Sequence, residues 1–149
     1  MSLNKLYEQM ILEHNKNPRN FKKVDPCTHS SHGHNPLCGD DYVVSIRVKD
    51  GIIDDIGFEG MGCAISKASG SLMTETLIGK PIDFVLDTKD KFINLVTEDD
   101  AVNENLGKLV VFEGVKKYPV RVKCAALVWR ALEDALINTS SNNNTVTTE

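Results

Sequence analysis

The sequence has few of the features that mark specialised classes of protein. Its 149 residues include only 5 prolines, 10 glycines and 6% aromatic residues, which excludes collagen and low-complexity polymers. No apolar run approaches the roughly 18 residues of a membrane span, and the N-terminal residues lack the features of a signal or transit peptide. A net charge of −4 disfavours nonspecific binding to nucleic acid. We therefore expect a soluble, cytoplasmic protein that binds neither membrane nor nucleic acid.

The four cysteines are widely spaced, at positions 27, 38, 63 and 124. No two of them form the Cys-X-X-Cys pair of a zinc ribbon or of a thioredoxin-like redox site. A cytoplasmic protein keeps its thiols reduced, so this cysteine usage favours metal binding or nucleophilic chemistry over disulfides. For each cysteine taken alone, a role as a small core side chain stays open.

Alternating apolar residues predict a β-hairpin around Asp50 and Gly51, a pair that favours a tight turn. The run before the turn covers residues 42–48, and the run after it covers residues 52–59. Each run places its branched or aromatic side chains on one face, and these are Val44, Ile46, Val48, Ile52, Ile56 and Phe58. The hairpin is therefore expected to bury one face.

Helical spacing of apolar residues predicts helices at residues 3–14, 64–78, about 81–96 and 124–137, whereas residues 109–115 fit a short helix or a strand. Strands early and helices late favour an α+β fold. We expect a small antiparallel sheet of about three strands with several helices packed on one face. Residues 1–137 are assigned to one domain, and the Ser-, Asn- and Thr-rich residues 138–149 to a disordered C-terminal tail.

Three cysteines lie beside turns or predicted helix starts, where a metal site can be built. Cys38 is followed by Gly39, which allows close approach of the backbone, and by the carboxylate of Asp40. Cys63 and Cys124 each precede a predicted helix, whose N-terminal dipole and N–H groups lower the pKa of a thiol. Three thiolates and one carboxylate would form a four-ligand zinc site if these segments converge.

Four basic residues lie within eight positions before the last cysteine: Lys116, Lys117, Arg121 and Lys123. They fit a solvated basic face. They also fit a functional role, in which Arg121 and Lys123 stabilise anionic sulfur or the patch docks an acidic partner. The sequence leaves both interpretations open.

A second potential metal-binding segment lies within twelve residues and contains Cys27, His29, His32, His34 and Cys38. It would support an alternative function as a structural zinc-binding module. Its spacing matches no familiar zinc finger, so polar surface histidines are the favoured interpretation.

The order of four motifs resembles the iron–sulfur cluster assembly family of IscU, the NifU N-terminal domain and SufU. The resemblance runs from about residue 4 to residue 137 and places three cysteines in their own motifs. These are Asn-Pro-Arg-Asn at 17–20, Asn-Pro-Leu-Cys-Gly-Asp at 35–40, Phe-Glu-Gly-Met-Gly-Cys-Ala-Ile-Ser-Lys-Ala-Ser at 58–69 and Tyr-Pro-Val-Arg-Val-Lys-Cys-Ala-Ala-Leu at 118–127. The resemblance implies a SufE/NifU-like fold.

Two departures from the IscU pattern point to the SufU branch of the family. Lys123 stands where IscU-type scaffolds have a histidine, and the segment between the second and third motif cysteines is longer than in those scaffolds. The resemblance implies a zinc-bound sulfur acceptor that takes persulfide sulfur from a PLP-dependent cysteine desulfurase of the SufS type. Downstream iron–sulfur scaffold or acceptor proteins would receive the sulfur.

By the same resemblance, the metal ligands are Cys38, Asp40, Cys63 and Cys124, and Cys38 is also the persulfide acceptor. The alternative is an IscU-type scaffold that assembles a transient [2Fe–2S] cluster on the same cysteines. Whether this sulfur carrier counts as an enzyme is left open, since it would cycle with its desulfurase.

Overall fold

A computed structural model describes residues 3–99, 104–138 and 145–147 of the chain. The helices are α1 (Leu3–Lys16), α2 (Ala64–Leu77), α3 (Ile82–Thr97), a 3₁₀ helix (Gly107–Lys117) and α4 (Pro119–Ile137). The strands are β1 (His29–Asn35), β2 (Asp40–Lys49), β3 (Ile52–Met61) and β4 (Thr145–Thr147). Within these residues, no helix combines the length and the hydrophobicity needed to cross a bilayer.

The sheet confirms the predicted α+β class, with one strand more than the sequence predicted. Its strand order is β3-β2-β1-β4, in which β1, β2 and β3 are antiparallel and β4 is parallel to β1. The β4 residues are Thr, Val and Thr, whose branched side chains favour strands. They belong to the segment predicted as a tail, of which residues 139–144, 148 and 149 lie outside the described residues.

Helices α2 and α4 pack on one face of the sheet and enclose the core. The fully buried side chains of that face are Tyr42, Val44, Ile46, Ile56 and Phe58. Helix α4 approaches closely at Gly33, because a Cβ there would lie 3.1 Å from a methyl carbon of Leu127. On the other face, the N–H of Val24 donates to Ser45 Oγ at 2.9 Å. The packing brings the end of the hairpin against the start of α2 and the first turns of α4.

Three local predictions are refined by the structure. Asp54 is an extra residue on β3, a β-bulge that lets Ile53 and Ile56 both face the core. Ile52 was expected to be buried, but it is 38% exposed because the bulge shifts the strand register. The unassigned residues 109–115 belong to the 3₁₀ helix.

Helix α4 begins at Pro119, five residues before the predicted start at Cys124. Proline suits the first position of a helix, where its missing N–H is not needed for an intrahelical bond. Cys124 therefore lies within α4, and the prediction that it sits at a helix N-terminus is wrong.

Candidate metal centre

The turn between β1 and β2 places Cys38 and Asp40 side by side. The N–H of Gly39 donates to the carbonyl oxygen of Asn35 at 2.9 Å, and Gly39 has a φ of 76°. This left-handed conformation favours glycine. The amide side chain of Asn35 also accepts a hydrogen bond from the N–H of Leu37 at 3.1 Å. The local sequence thus positions a thiol and a carboxylate at the end of the sheet.

Cys38, Asp40 and Cys124 form a compact set of ligand atoms. The Cys38 Sγ atom is 3.2 Å from Cys124 Sγ and donates to Asp40 Oδ2 at 3.2 Å. One ligand atom from each of the three residues lies within 4.8 Å of the others. Cys63 Sγ adjoins this set, 3.9 Å from Asp40 Oδ2. Thiolate sulfur and carboxylate oxygen are the donors that zinc accepts in proteins, so these residues fit such an ion.

The carboxylate of Asp40 is fully buried and held in one orientation. Its Oδ1 atom accepts a hydrogen bond from the backbone N–H of Cys63 at 2.9 Å, which leaves Oδ2 directed at the thiols. Asp40 therefore links the β1–β2 turn to the start of α2. A buried carboxylate needs such partners, because burial without them is costly.

The three thiols differ in acidity. Cys63 is the N-cap of α2, as predicted, and its Sγ atom accepts from the N–H of Ser66 at 3.5 Å. A hydrogen bond from Cys124, opposed by burial and aided by Ser66, lowers the pKa of Cys63 to about 6. Sharing its proton with Cys63 raises the pKa of Cys124, and burial raises the pKa of Cys38. The protein alone thus favours a thiolate at Cys63 first.

Gly62 supports the site in a way that the sequence did not reveal. A Cβ at Gly62 would lie 2.6 Å from Asp40 Oδ1, Ser66 Oγ and Tyr42 Oη. The last two atoms form a buried hydrogen bond of 3.1 Å between β2 and α2. In the sequence, Gly62 was only a strand break. Its packing role depends on residues that come together through the fold.

Adding a methyl group at this position should disturb the site. We expect Gly62→Ala to lower the free energy of unfolding by about 1–3 kcal/mol and to weaken metal binding, because the Asp40 carboxylate must move. Gly114→Ala is the matched control, since a Cβ there meets no atom within 4 Å. Urea unfolding and a chelator competition assay measure the two effects. Equal stability and metal affinity of both variants would contradict this role for Gly62.

The basic residues do not form a single cluster. Arg121 places its guanidinium over the ring of Tyr118, 4.5 Å from the centroid, and lines the groove beside the thiols. Lys117 lines the same groove. Lys116 instead donates to the backbone carbonyl oxygens of Glu98 and Asp99, and Lys123 is half-buried outside the groove lining. Of the two predicted sulfur stabilisers, Arg121 has the better position.

The local histidine segment is divided by the fold. His32 and His34 lie beside the exposed carboxylate of Asp41, with nitrogen–oxygen distances of 2.6 and 3.1 Å. Cys27 is an exposed free thiol, and Cys38 belongs to the thiol cluster described above. This separation disfavours one local zinc site built from the five residues.

A groove of about 640 Å³ opens beside the thiols. Cys38, Cys63 and Cys124 all line it. The remaining walls come from α1, the 3₁₀ helix and the first turn of α4, and they are mainly apolar: Tyr7, Ile11, Leu12, Val115, Tyr118 and Val120. The arrangement gives another molecule an apolar surface next to the sulfur atoms.

Comparisons with known proteins agree with this geometry. The family model described as NifU-like N terminal domain matches residues 6–125. A zinc-dependent sulfurtransferase SufU of Bacillus subtilis is 38% identical, over 95% of this chain and 97% of that protein. An iron–sulfur cluster assembly scaffold protein IscU of Streptococcus pyogenes is 36% identical, over 90% of this chain and 84% of that protein.

A solved structure from Fervidobacterium islandicum has the same fold. It is described as a candidate iron–sulfur cluster assembly scaffold protein for the SUF system. It has a TM-score of 0.83 and 33% identity, and the match covers 91% of this chain and 99% of that one. These matches confirm the resemblance inferred from the cysteine motifs. The chain belongs to the family of NifU-like N-terminal domains, together with its SufU and IscU relatives.

Proposed function

We propose that this protein is a zinc-bound sulfur acceptor of iron–sulfur cluster biogenesis, acting in the cytoplasm. It takes persulfide sulfur from a PLP-dependent cysteine desulfurase of the SufS type onto Cys38 and passes it to scaffold or acceptor proteins. The observation that carries the proposal is the contact of Cys38 with both Asp40 and Cys124 at the edge of an open groove. The similarity to a zinc-dependent sulfurtransferase supports it.

Cys38 is better placed than the other two thiols to accept sulfur. Cys124 is only 3% exposed and lies within a helix, while Cys63 is held as a helix cap. Cys38 lies half-buried on a turn, and its described contacts are with two side chains. It can therefore reach an incoming persulfide with little disturbance of the fold.

The transfer itself is a thiol exchange at sulfur. The Cys38 thiolate attacks the outer sulfur of the desulfurase persulfide, and the desulfurase cysteine leaves as a thiolate. When bound to Cys38, Asp40, Cys63 and Cys124, zinc supplies the positive charge that keeps these thiols deprotonated near neutral pH. Asp40 holds Cys38 near Cys124, and the Arg121 guanidinium adds positive charge where anionic sulfur enters. Incubation with the desulfurase and radiolabelled cysteine, followed by peptide mapping, tests whether the label reaches Cys38.

The apolar groove is the docking surface that we assign to the desulfurase. It adjoins the thiols, and Lys117 and Arg121 on its wall favour a partner segment with apolar residues and a carboxylate. Val120 lines this groove and is 57% exposed, so a partner can reach it.

Val120→Asp should weaken docking without altering the metal centre. We expect the KM for this protein in the desulfurase assay to rise by about tenfold or more, because a charge replaces an apolar contact. Ile137→Asp is the matched control, since Ile137 lies on the same helix, is 59% exposed and is not part of the groove. An equal KM for the two variants would place the docking surface elsewhere.

The alternative is a scaffold that assembles a transient [2Fe–2S] cluster on the same thiols. The similarity to IscU proteins favours it. Lys123 argues against it, because this position lacks the histidine that IscU-type scaffolds place beside their third cysteine, and it carries a positive charge. Transfer of a reconstituted cluster to an acceptor apoprotein would favour the scaffold over the sulfur carrier.

A further inference from the structure

The sulfur atoms of Cys38 and Cys124 are already in contact. They are 3.2 Å apart, and a disulfide bond is about 2.0 Å long, so closure needs a movement of about 1 Å. Cys124 is fixed within α4, whereas Cys38 lies on the β1–β2 turn. The turn is the part that can move to close this distance.

We propose that Cys124 is a resolving thiol that releases the sulfur carried by Cys38 as hydrosulfide. This step rests on the proposed function, since Cys38 must first hold a persulfide. The Cys124 thiolate attacks Cys38 Sγ, and a bond forms between the two Sγ atoms. The bond from Cys38 Sγ to the outer sulfur breaks, and its electron pair leaves with hydrosulfide. The outer sulfur gains two electrons, the cysteine pair loses two, and the proton from Cys124 balances hydrosulfide as hydrogen sulfide.

The geometry favours attack at Cys38 Sγ over attack at the outer sulfur. Cys124 contacts Sγ itself, and the outer sulfur lies one further bond of about 2.0 Å along the side chain. Cys63 is less suited to the role. Its Sγ atom is occupied as the cap of α2, and its described contact with the metal-centre carboxylate is 3.9 Å.

The product disulfide is reset by a dithiol reductant of the thioredoxin class, which regenerates both thiols by two exchange steps. Cys38 is half-buried and lines the open groove, so hydrosulfide has a route to solvent. Sulfur would thus leave as a small anion that needs no second docking event.

The test uses the full metal-containing chain, loaded by immobilised cysteine desulfurase and cysteine without a thiol reductant. After the desulfurase is removed, hydrosulfide is assayed and cysteine pairs are mapped by mass spectrometry of alkylated peptides. We expect hydrosulfide and a Cys38–Cys124 disulfide to appear in equal amounts as the persulfide disappears. Hydrosulfide without this disulfide, or with one that involves Cys63, would overturn the proposal.

Variants provide a second readout. Cys124→Ser should slow the loss of persulfide from Cys38 by about tenfold or more, since serine cannot form the disulfide. Cys27→Ser, at an exposed thiol outside the site, should behave as the unmodified protein. Unchanged persulfide decay in Cys124→Ser would contradict a resolving role. If that variant does not fold, the disulfide mapping of the unmodified chain decides.

A second loading route separates this inference from the proposed function. Inorganic polysulfide can place a persulfide on Cys38 without a desulfurase. If the desulfurase delivers no sulfur but polysulfide loading yields hydrosulfide and the Cys38–Cys124 disulfide, the proposed function fails and the resolving role stands. If the desulfurase loads Cys38 but no disulfide follows, the reverse holds.

Discussion

Cys38→Ala should abolish sulfur uptake from the cysteine desulfurase. Alanine has no sulfur to form the persulfide, and loss of a nucleophile typically lowers rates by orders of magnitude. We expect labelling from radiolabelled cysteine to fall by on the order of 100-fold or more. Cys38 is half-buried on a turn, so the substitution should leave the fold intact. Gel filtration and circular dichroism would check this.

Cys27→Ala is the matched control for this experiment. Cys27 is an exposed free cysteine outside the metal centre, so the variant should take up sulfur as the unmodified chain does. Labelling of Cys38→Ala at the unmodified rate would assign the acceptor role to another thiol.

Asp40→Ala is expected to have the second large effect, on metal affinity. The substitution removes one ligand from the set formed with Cys38 and Cys124. It also leaves the N–H of Cys63 without its acceptor. We expect zinc affinity to fall by at least about 10-fold and stability to fall by about 1–3 kcal/mol. Competition with a chromophoric chelator and urea unfolding measure these two changes.

Asp40→Asn separates the two roles of this carboxylate. Asparagine keeps an oxygen that can accept from the N–H of Cys63, but it lacks the negative charge that favours a metal ion. We expect this variant to recover stability and not zinc affinity. The neighbouring Asp41→Ala should retain zinc, since the side chain of Asp41 is 44% exposed and lies beside His32 and His34. Unchanged zinc affinity in Asp40→Ala and Asp40→Asn would exclude Asp40 as a ligand.

Much of the candidate site could be predicted from the sequence because its signals are local. Cys38, Gly39 and Asp40 are consecutive, and a turn necessarily places their side chains close together. Cys63 follows a glycine-rich break and precedes an apolar helical stripe, which indicated its position at a helix start. The hairpin was predictable for the same reason, since alternation and a tight-turn pair lie within one short segment.

The remaining features depend on contacts between distant segments. Tyr42, Ser66 and Gly62 surround Asp40 only after β2 packs against α2. The true start of α4 was missed because Pro119 can end one element or begin another. The apolar groove also requires α1 and α4 to lie side by side, so no single stretch of sequence indicates it.

The metal and sulfide content of the protein tests the central claim most directly. Protein purified without oxygen and without added metal is analysed for zinc, iron and acid-labile sulfide per chain. A zinc-bound sulfur acceptor predicts about one zinc per chain and no iron. Iron and acid-labile sulfide in equal amounts would contradict this prediction and identify the thiols as the site of a cluster.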